Sequence, residues 1–392
     1  MTRTSLAGKV ELHRGQSYKS ALLDEPGPYL LGLGTIARNG GFSGGSLRTY
    51  GGESPERILL RPGDLYLSLK DVTHKAELLG AVARVPEHIE LGRLTQDTVR
   101  LQITSDQVHA DYLYWLLQTP DYRAYCRLRG TGTTNLDLSR ADFLGYEFRL
   151  PSVGEQQAIA EVLGALDDKI AANTTLAATA RELGVAMLRI DGPTTALGDV
   201  VAHHKQQINP LTMDATIVEH YSLPAFDSGS GPEIVDPGSI KSSKFSVHGP
   251  AVLVSKLNPQ TPRVWPVLPD GSAPRLASTE FLVLEPRVTS PWVMWALLSQ
   301  PNYARSLQAM VAGTSGSHQR VRPDDVLAAP ILDPRAIPQQ LLADVGEVLA
   351  PIDVLSQENR TLAATRDALL PQLMSGKLRV RDAERIAEDA GA

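Results

Sequence analysis

The chain contains itself twice. Residues 173–179 read NTTLAAT and residues 359–365 read NRTLAAT, an offset of 186 (359 − 173). EVLGALD from Glu161 answers EVLAPID from Glu347 at the same offset, and further pairs keep one order along the chain. LAGKV from Leu6 matches ALGDV from Ala196, LYLS from Leu65 matches VLVS from Val252, and Arg93-Leu94 matches Arg275-Leu276. WLLQTP from Trp115 matches WALLSQP from Trp295, and Gly130-Thr131 matches Gly313-Thr314. A short-repeat solenoid must stack units of roughly 20 to 50 residues to bury a core, whereas each half here is long enough to fold alone. Two alike halves tend to be related by a pseudo-twofold axis, which suits a twofold or two-part partner such as duplex DNA.

Each half has the same internal order, giving five segments: 1–150, 151–192, 193–332, 333–380 and a tail, 381–392. In the long segments, strand-like apolar runs (Ile58–Leu60, Leu65–Leu69, Leu78–Val85 and Val99–Ile103 in the first, Ala251–Leu257 and Glu280–Glu285 in the second) are separated by turn residues such as RPGD at 61–64. An aromatic helix follows in each, expected over Tyr112–Arg127 and Trp292–Met310, and then a Gly/Thr/Ser loop. The expected class is α/β: two similar domains joined by two long helices in an antiparallel coiled coil.

The loops read GTGTTNLDLSRADFL from Gly130 and GTSGSHQRVRPDDVL from Gly313. Such stretches can set backbone N–H and hydroxyl groups against phosphates, and Asn135, His318, Gln319 and Arg320 can hydrogen-bond base edges. An ordinary connector is the competing reading of either loop alone; recurrence at one place in both halves favours function. Lys70, Thr133, Thr134 and Asn135 in the first domain, and Lys256, Ser315, Ser317, His318 and Arg320 in the second, are the expected DNA-facing residues.

The helical stretches carry seams at steps of three and four: Ile159, Leu163, Leu166, Ile170, Asn173, Ala177, Ala180, Leu183, Met187 and Ile190 in the first, and Val345, Leu349, Ile352, Ser356, Asn359, Ala363 and Leu373 in the second. Pro338 and Pro371 fit helix boundaries or a kink. In an antiparallel pairing about a pseudo-twofold axis, Asn173 and Asn359 face each other and fix the register, with Leu166, Ile170 and Ile352 beside them; placement of the Asn side chains in water at the seam edge is the alternative.

Net charge is −6, which by itself argues against nucleic acid. The segments carry +1 (1–150), −3 (151–192), −1 (193–332) and −3 (333–392), so the excess acid lies in the helical parts. Partner subunits are therefore expected to supply much of the phosphate attraction. The single cysteine, Cys126, excludes an intramolecular disulfide framework and suits a reducing cytosol. No signal-like segment and no run of about 18 apolar residues occurs, so a cytoplasmic location is expected.

RPGDLYLS from Arg61, FRLPSVGEQQAIAEVLGALDDKI from Phe148 and TRDALLPQLMSGKLRV from Thr365, in an order of variable segment, helix, variable segment, helix, resemble the DNA specificity subunit of type I restriction-modification systems. The resemblance spans Leu6 to Val380. It implies two target recognition domains, each reading half of a bipartite site in double-stranded DNA, and helices that set the gap and hold two methyltransferase subunits, with two restriction and motor subunits added in the full complex. S-adenosylmethionine, ATP and Mg are then expected on those partners, and no cofactor or metal on this chain. One departure is that the second helix opens with ILDPRAIPQQ where the first has LPSVGEQQ.

Nothing in the chain is catalytic in pattern. It lacks a [DNS]PP[FYW] adenine methyltransferase motif and a GxxxxGK[ST] loop, and His203-His204 has no further ligand at metal spacing. A hydrolase built between the halves would need convergent acid, base or nucleophile groups, and only scattered carboxylates are present. A protein scaffold that never touches DNA, and the specificity subunit of a methylation-only system, are the alternatives; neither target sequence nor gap length is legible.

Overall fold

The structure is a computed structural model and describes residues 3–45, 47–73, 75–132, 135–229, 231–268, 273–310 and 319–392. It divides into two units, residues 1–170 with 360–392, and residues 171–359.

The first unit contains β1 (Arg3–Ser5), β2 (Val10–Arg14), β3 (Tyr29–Leu31), β4 (Leu59–Leu60), β5 (Leu65–Ser68), β6 (Lys70–Asp71), β7 (Val82–Arg84), β8 (Gly92–Leu94), β9 (Thr98–Ile103), β10 (Leu136–Asp137) and β11 (Glu147–Arg149). Its helices are α1 (Ala110–Leu116), α2 (Pro120–Arg129), α3 (Arg140–Leu144) and the first half of α4 (Val153–Met187). The second unit contains β12 (Thr194–Ala196), β13 (Val201–His204), β14 (Gln207–Ile208), β15 (Val218–Tyr221), β16 (Glu233–Val235), β17 (Lys244–Val247), β18 (Ala251–Ser255), β19 (Val264–Val267), β20 (Arg275–Ala277), β21 (Phe281–Pro286) and β22 (Pro330–Leu332). The rest of α4 belongs to it, with α5 (Leu223–Ser228), α6 (Pro291–Leu298), α7 (Pro301–Ala309), α8 (Pro323–Ala328), α9 (Gln339–Leu349) and the start of α10 (Pro351–Ser375). The end of α10 and α11 (Val380–Asp389) return to the first unit.

The duplication is a duplication of topology. An antiparallel sheet of order β2-β9-β5-β7 in the first unit corresponds to β13-β21-β18-β19 in the second. A second sheet, β3-β8-β4, corresponds to the middle of β14-β17-β20-β15-β16, and β3 with β8 and β15 with β20 are the parallel pairs. Each domain is closed by a short antiparallel pair joining its ends, β1 with β11 and β12 with β22.

Strand alternation explains why the β5 sequence LYLS is buried throughout. Leu65 and Leu67 enter one core cluster, with the helices, while Tyr66 points into another, shared with the second sheet. The corresponding Val252 and Val254 face one cluster of the second unit and Leu253 the other.

The helices depart from the sequence reading in three places. Each expected aromatic helix is two helices, because Pro120 and Pro301 each stand at the first position of a new one, where the missing N–H costs nothing. Thr119 caps the first of these by accepting from the Tyr122 N–H. The second spacer is likewise broken, at Pro351 rather than at Pro371, which lies inside α10. The seam of α4 holds from Ile159 to Ala177 and then shifts: Leu183 and Ile190 are exposed, Ile190 lies beyond the helix end, and Gly184 and Leu188 are turned inward. The repeats also differ in length here, TLAATAR at 175–181 having one residue more before its arginine than TLAATR at 361–366. In α10, Leu362 is fully buried, whereas Ala363 is half-buried.

Pairing of the spacer helices is antiparallel in each unit. In the first, Asp167 meets Arg366; in the second, Asn173 meets Asn359, and a Cβ on Gly184 would stand 2.7 Å from Leu349. The tail forms α11, whose Val380, Ala383, Ala387 and Ala390 make a stripe at steps of three and four packed on the first core. Among the described residues, no helix is long and apolar enough to cross a membrane.

Candidate nucleic-acid interface

Both units build one feature at the end of the central antiparallel sheet. After β5, the Ser68 hydroxyl accepts from the Lys70 N–H at 3.0 Å and donates to the Lys70 carbonyl at 2.5 Å. After β18, Ser255 does the same with Leu257, both contacts at 3.1 Å. The chain returning from the Gly/Thr/Ser loop pairs with this turn: β10 with β6 in the first unit, and Arg320 opposite Leu257 in the second. Leu138 N–H donates to the Leu69 carbonyl, and Val321 N–H to the Lys256 carbonyl. The two loops noted in the sequence are thus fastened at equivalent strand ends.

A cation and an acid mark each turn. Lys70 Nζ lies 3.4 Å from Asp97. Arg320 makes a two-pronged contact with Glu280, at 3.2 and 3.0 Å, which raises its guanidinium pKa. Asp97 and Glu280 occupy the same position, one residue before β9 and β21. The cations come from different segments, one from the outgoing turn and one from the returning loop. Asn135 is exposed and Lys256 half-buried; Gln260 donates to the Gln319 side chain at 3.1 Å. Thr133, Thr134, Ser315, Ser317 and His318 lie outside the described residues.

His204 contacts Glu285 at 2.6 Å. The His203 imidazole is held below its usual pKa by burial and then by Lys205. Among the described residues, no group of three or more potential ligands could hold a metal ion.

On the spacers, Leu166 and Ile352 are buried and Ile170 half-buried. Asn173, 5% exposed, donates from Nδ2 to Asn359 Oδ1 at 3.0 Å and to Glu358 Oε2 at 2.8 Å. The two asparagines face each other in the seam. Asn359 in turn donates to the Thr174 hydroxyl at 3.3 Å. The two helix openings also differ. Gln156 is fully buried and ties α4 to the ground before α1, accepting from the His109 N–H and donating to the Gln107 and Pro151 carbonyls. In α9, the residue 186 further on is Leu342, packed among apolar neighbours.

Four features escaped the sequence reading. Asp167 with Arg366 in the first unit has a counterpart in Asp353 and Arg181 of the second, where Trp292 Nε1 donates to Asp353 at 2.6 Å beneath the Arg181 guanidinium. Asp71 and Arg123 are fully buried charges. A signal for Arg123 existed: it lies between Tyr122 and Cys126 on the apolar face of α2.

Among solved structures, the chain is similar to the S subunit of the type I restriction-modification system from M. genitalium, at 14% identity and a TM-score of 0.56, covering 95% of this chain and 96% of that one. The HsdS subunit from Thermoanaerobacter tengcongensis matches at 15% identity and a TM-score of 0.36, over 96% and 97% of the two chains. A chain from a study of complex assembly and conformational transition of the type I R-M system matches at 14% and 0.34, over 99% and 97%. No family profile and no curated protein matches. The fold is that of the M. genitalium S subunit: duplicated sheet domains with long helical linkers.

Proposed function

Starting from that shared fold, we propose that this chain is the non-catalytic specificity subunit of a type I restriction-modification complex. Each unit reads one half of a bipartite target in double-stranded DNA. The spacer helices set the gap and carry two methyltransferase subunits, to which two restriction and motor subunits add. The methyl group comes from S-adenosylmethionine bound to the methyltransferases, and ATP and Mg serve the motor subunits. The observation that carries this reading is the recurrence of one strand-end turn, with its cation, acid and fastened loop, in two domains of one topology. One turn would be an ordinary connector. Two equivalent turns, followed by loops rich in glycine and hydroxyl groups, are what a two-part target asks for.

Neutral reading domains and acidic spacers are compatible with this role if the partner subunits supply most of the phosphate contacts. Footprinting of the chain with its methyltransferase subunits tests it: two protected patches separated by a constant gap are expected. A protein scaffold without DNA readout protects nothing, and a methylation-only complex gives the footprint without ATP-dependent cleavage.

A further inference from the structure

Asp71 is fully buried and Arg123 is 2% exposed, yet neither makes an ion pair with another of the described residues. The Asp71 carboxylate accepts from the backbone N–H groups of Thr73, of Leu78 at 2.5 Å and of Leu79 at 2.9 Å. Arg123 donates to the carbonyls of Leu79 at 2.7 Å, Glu77 at 2.8 Å and Ala76 at 3.4 Å. Three N–H groups within 71–79 are therefore held by a buried anion, and three carbonyls by a buried cation. Its backbone includes Ala76 at φ +52°, a conformation that alanine rarely adopts. Buried charges are rare in interiors, and an apolar replacement of either one here would strand the backbone groups it satisfies. Two of them devoted to the backbone of one loop point to a loop whose shape matters more than its stability.

What this brace turns outward is chemically mixed. Val72 is 57% exposed, Lys75 is exposed and Thr73 is half-exposed. The stretch leaves the turn at Lys70, beside the returning β10. Cations surround it: Lys70 at Asp97, Arg38 at 3.4 Å from Glu77, and Arg127 at 3.5 Å from Asn39, whose N–H donates to the Glu77 carbonyl. A methyl-bearing side chain and a cation on a preorganised loop match two needs of major-groove reading: contact with a thymine methyl and a phosphate anchor.

We propose that the braced stretch 71–79 is a base-reading element of the first domain, with Val72 at a base edge, Lys75 on phosphate and the Thr73 hydroxyl holding the loop by accepting from the Glu77 N–H at 3.2 Å. This rests on the chain being a DNA reader. Among the described residues the second domain has no such brace: Asn258 follows its turn, donating its N–H to the Gln319 carbonyl, and the adjoining loop is tied instead by Arg263 to Asp227, at 2.6 and 3.0 Å. The two half-sites should accordingly be read by unlike surfaces.

The test uses the full chain with its methyltransferase subunits, a randomised duplex library and methylation sequencing. The surface double variant Val72→Ala, Lys75→Ala should keep the wild-type unfolding temperature and lose preference at one or two base pairs of one half-site. It should bind the cognate duplex roughly 5- to 100-fold more weakly, with a salt slope lower by about 1. Asp71→Asn should produce the same half-site loss with the surface residues intact. A double variant matching wild type in both half-sites, affinity and salt slope overturns the proposal while leaving the DNA-reader function standing. A wild-type complex that selects no bipartite sequence removes both.

Discussion

Replacing Asn173 by alanine isolates the polar contact of the spacer seam. The side chain is 5% exposed and its amide donates twice, to a carboxylate at 2.8 Å and to a neutral amide oxygen at 3.0 Å. A hydrogen bond to a charged group contributes about 1.5–3 kcal/mol and a neutral one about 0.5–1.5 kcal/mol. Two terms reduce that sum. Glu358 and Asn359 are only half-buried and regain water, and alanine is the better helix former by about 0.5–0.7 kcal/mol. The net cost should be about 1–2 kcal/mol, which for a unit of 189 residues (359 − 171 + 1) lowers Tm by about 2–8 °C. Differential scanning calorimetry on Asn173→Ala, Asn359→Ala and the double variant gives the coupling, expected at about 0.5–2 kcal/mol. Replacement of both by leucine should leave stability equal or higher while broadening the gap that the complex accepts, because an apolar seam tolerates neighbouring registers. A coupling indistinguishable from zero, or a double-leucine variant with an unchanged gap, would refute the view that this pair sets register.

Leu362→Ala should cost about 2–5 kcal/mol by denaturant unfolding, because the side chain is fully buried, whereas Leu176→Ala at the matching repeat position, 54% exposed, should change stability by less than about 0.5 kcal/mol. Four residues inserted near Ala172 lengthen α4 by about 6 Å and turn it by about 400°, nearly a full turn, so the methylated target should gain one or two base pairs of gap with both half-sites kept; two residues turn it by about 200° and should impair stability or assembly. An active four-residue variant with an unchanged gap contradicts the ruler role of these helices. Asp97→Asn should tighten binding to nonspecific duplex and steepen its salt dependence, measured by fluorescence anisotropy, with little change in Tm; unchanged nonspecific affinity would count against Lys70 facing DNA.

The duplication was legible because its matches keep one order, and with it came the two-domain architecture and the helical spacers. Periodicity located the seam while helical phase was regular. It failed past Ala177, where Gly184 and Leu188 lie inside in place of Leu183 and Ile190. Apolar continuity also hid three helix breaks, at Pro120, Pro301 and Pro351, since a proline at a first helical position reads like one inside a helix unless the cap before it is weighed. At the interface, Lys70 and Arg320 were visible as cations near recurring loops. Their acids were not, because Asp97 and Glu280 are 27 and 40 residues away and meet them only through strand pairing. The brace of Asp71 and Arg123 spans 52 residues and satisfies backbone rather than side chains, a use of charge with no sequence spacing.

The acids at the two turns bear on the net charge of −6. Lys70 and Asp97 are both partly exposed, and such a pair contributes about 0–1 kcal/mol, so a phosphate can take the place of Asp97 beside Lys70 at small cost. Under the proposed function, Asp97 and Glu280 would offset Lys70 and Arg320 until a DNA backbone arrives in the right place. Nonspecific affinity grows with every phosphate a surface neutralises, whereas base contacts are made only on a matching sequence. A reader with masked cations gives up general affinity and keeps the difference between right and wrong sites. General affinity then falls to whatever binds the spacers, and the near neutrality of the two domains becomes a condition of discrimination.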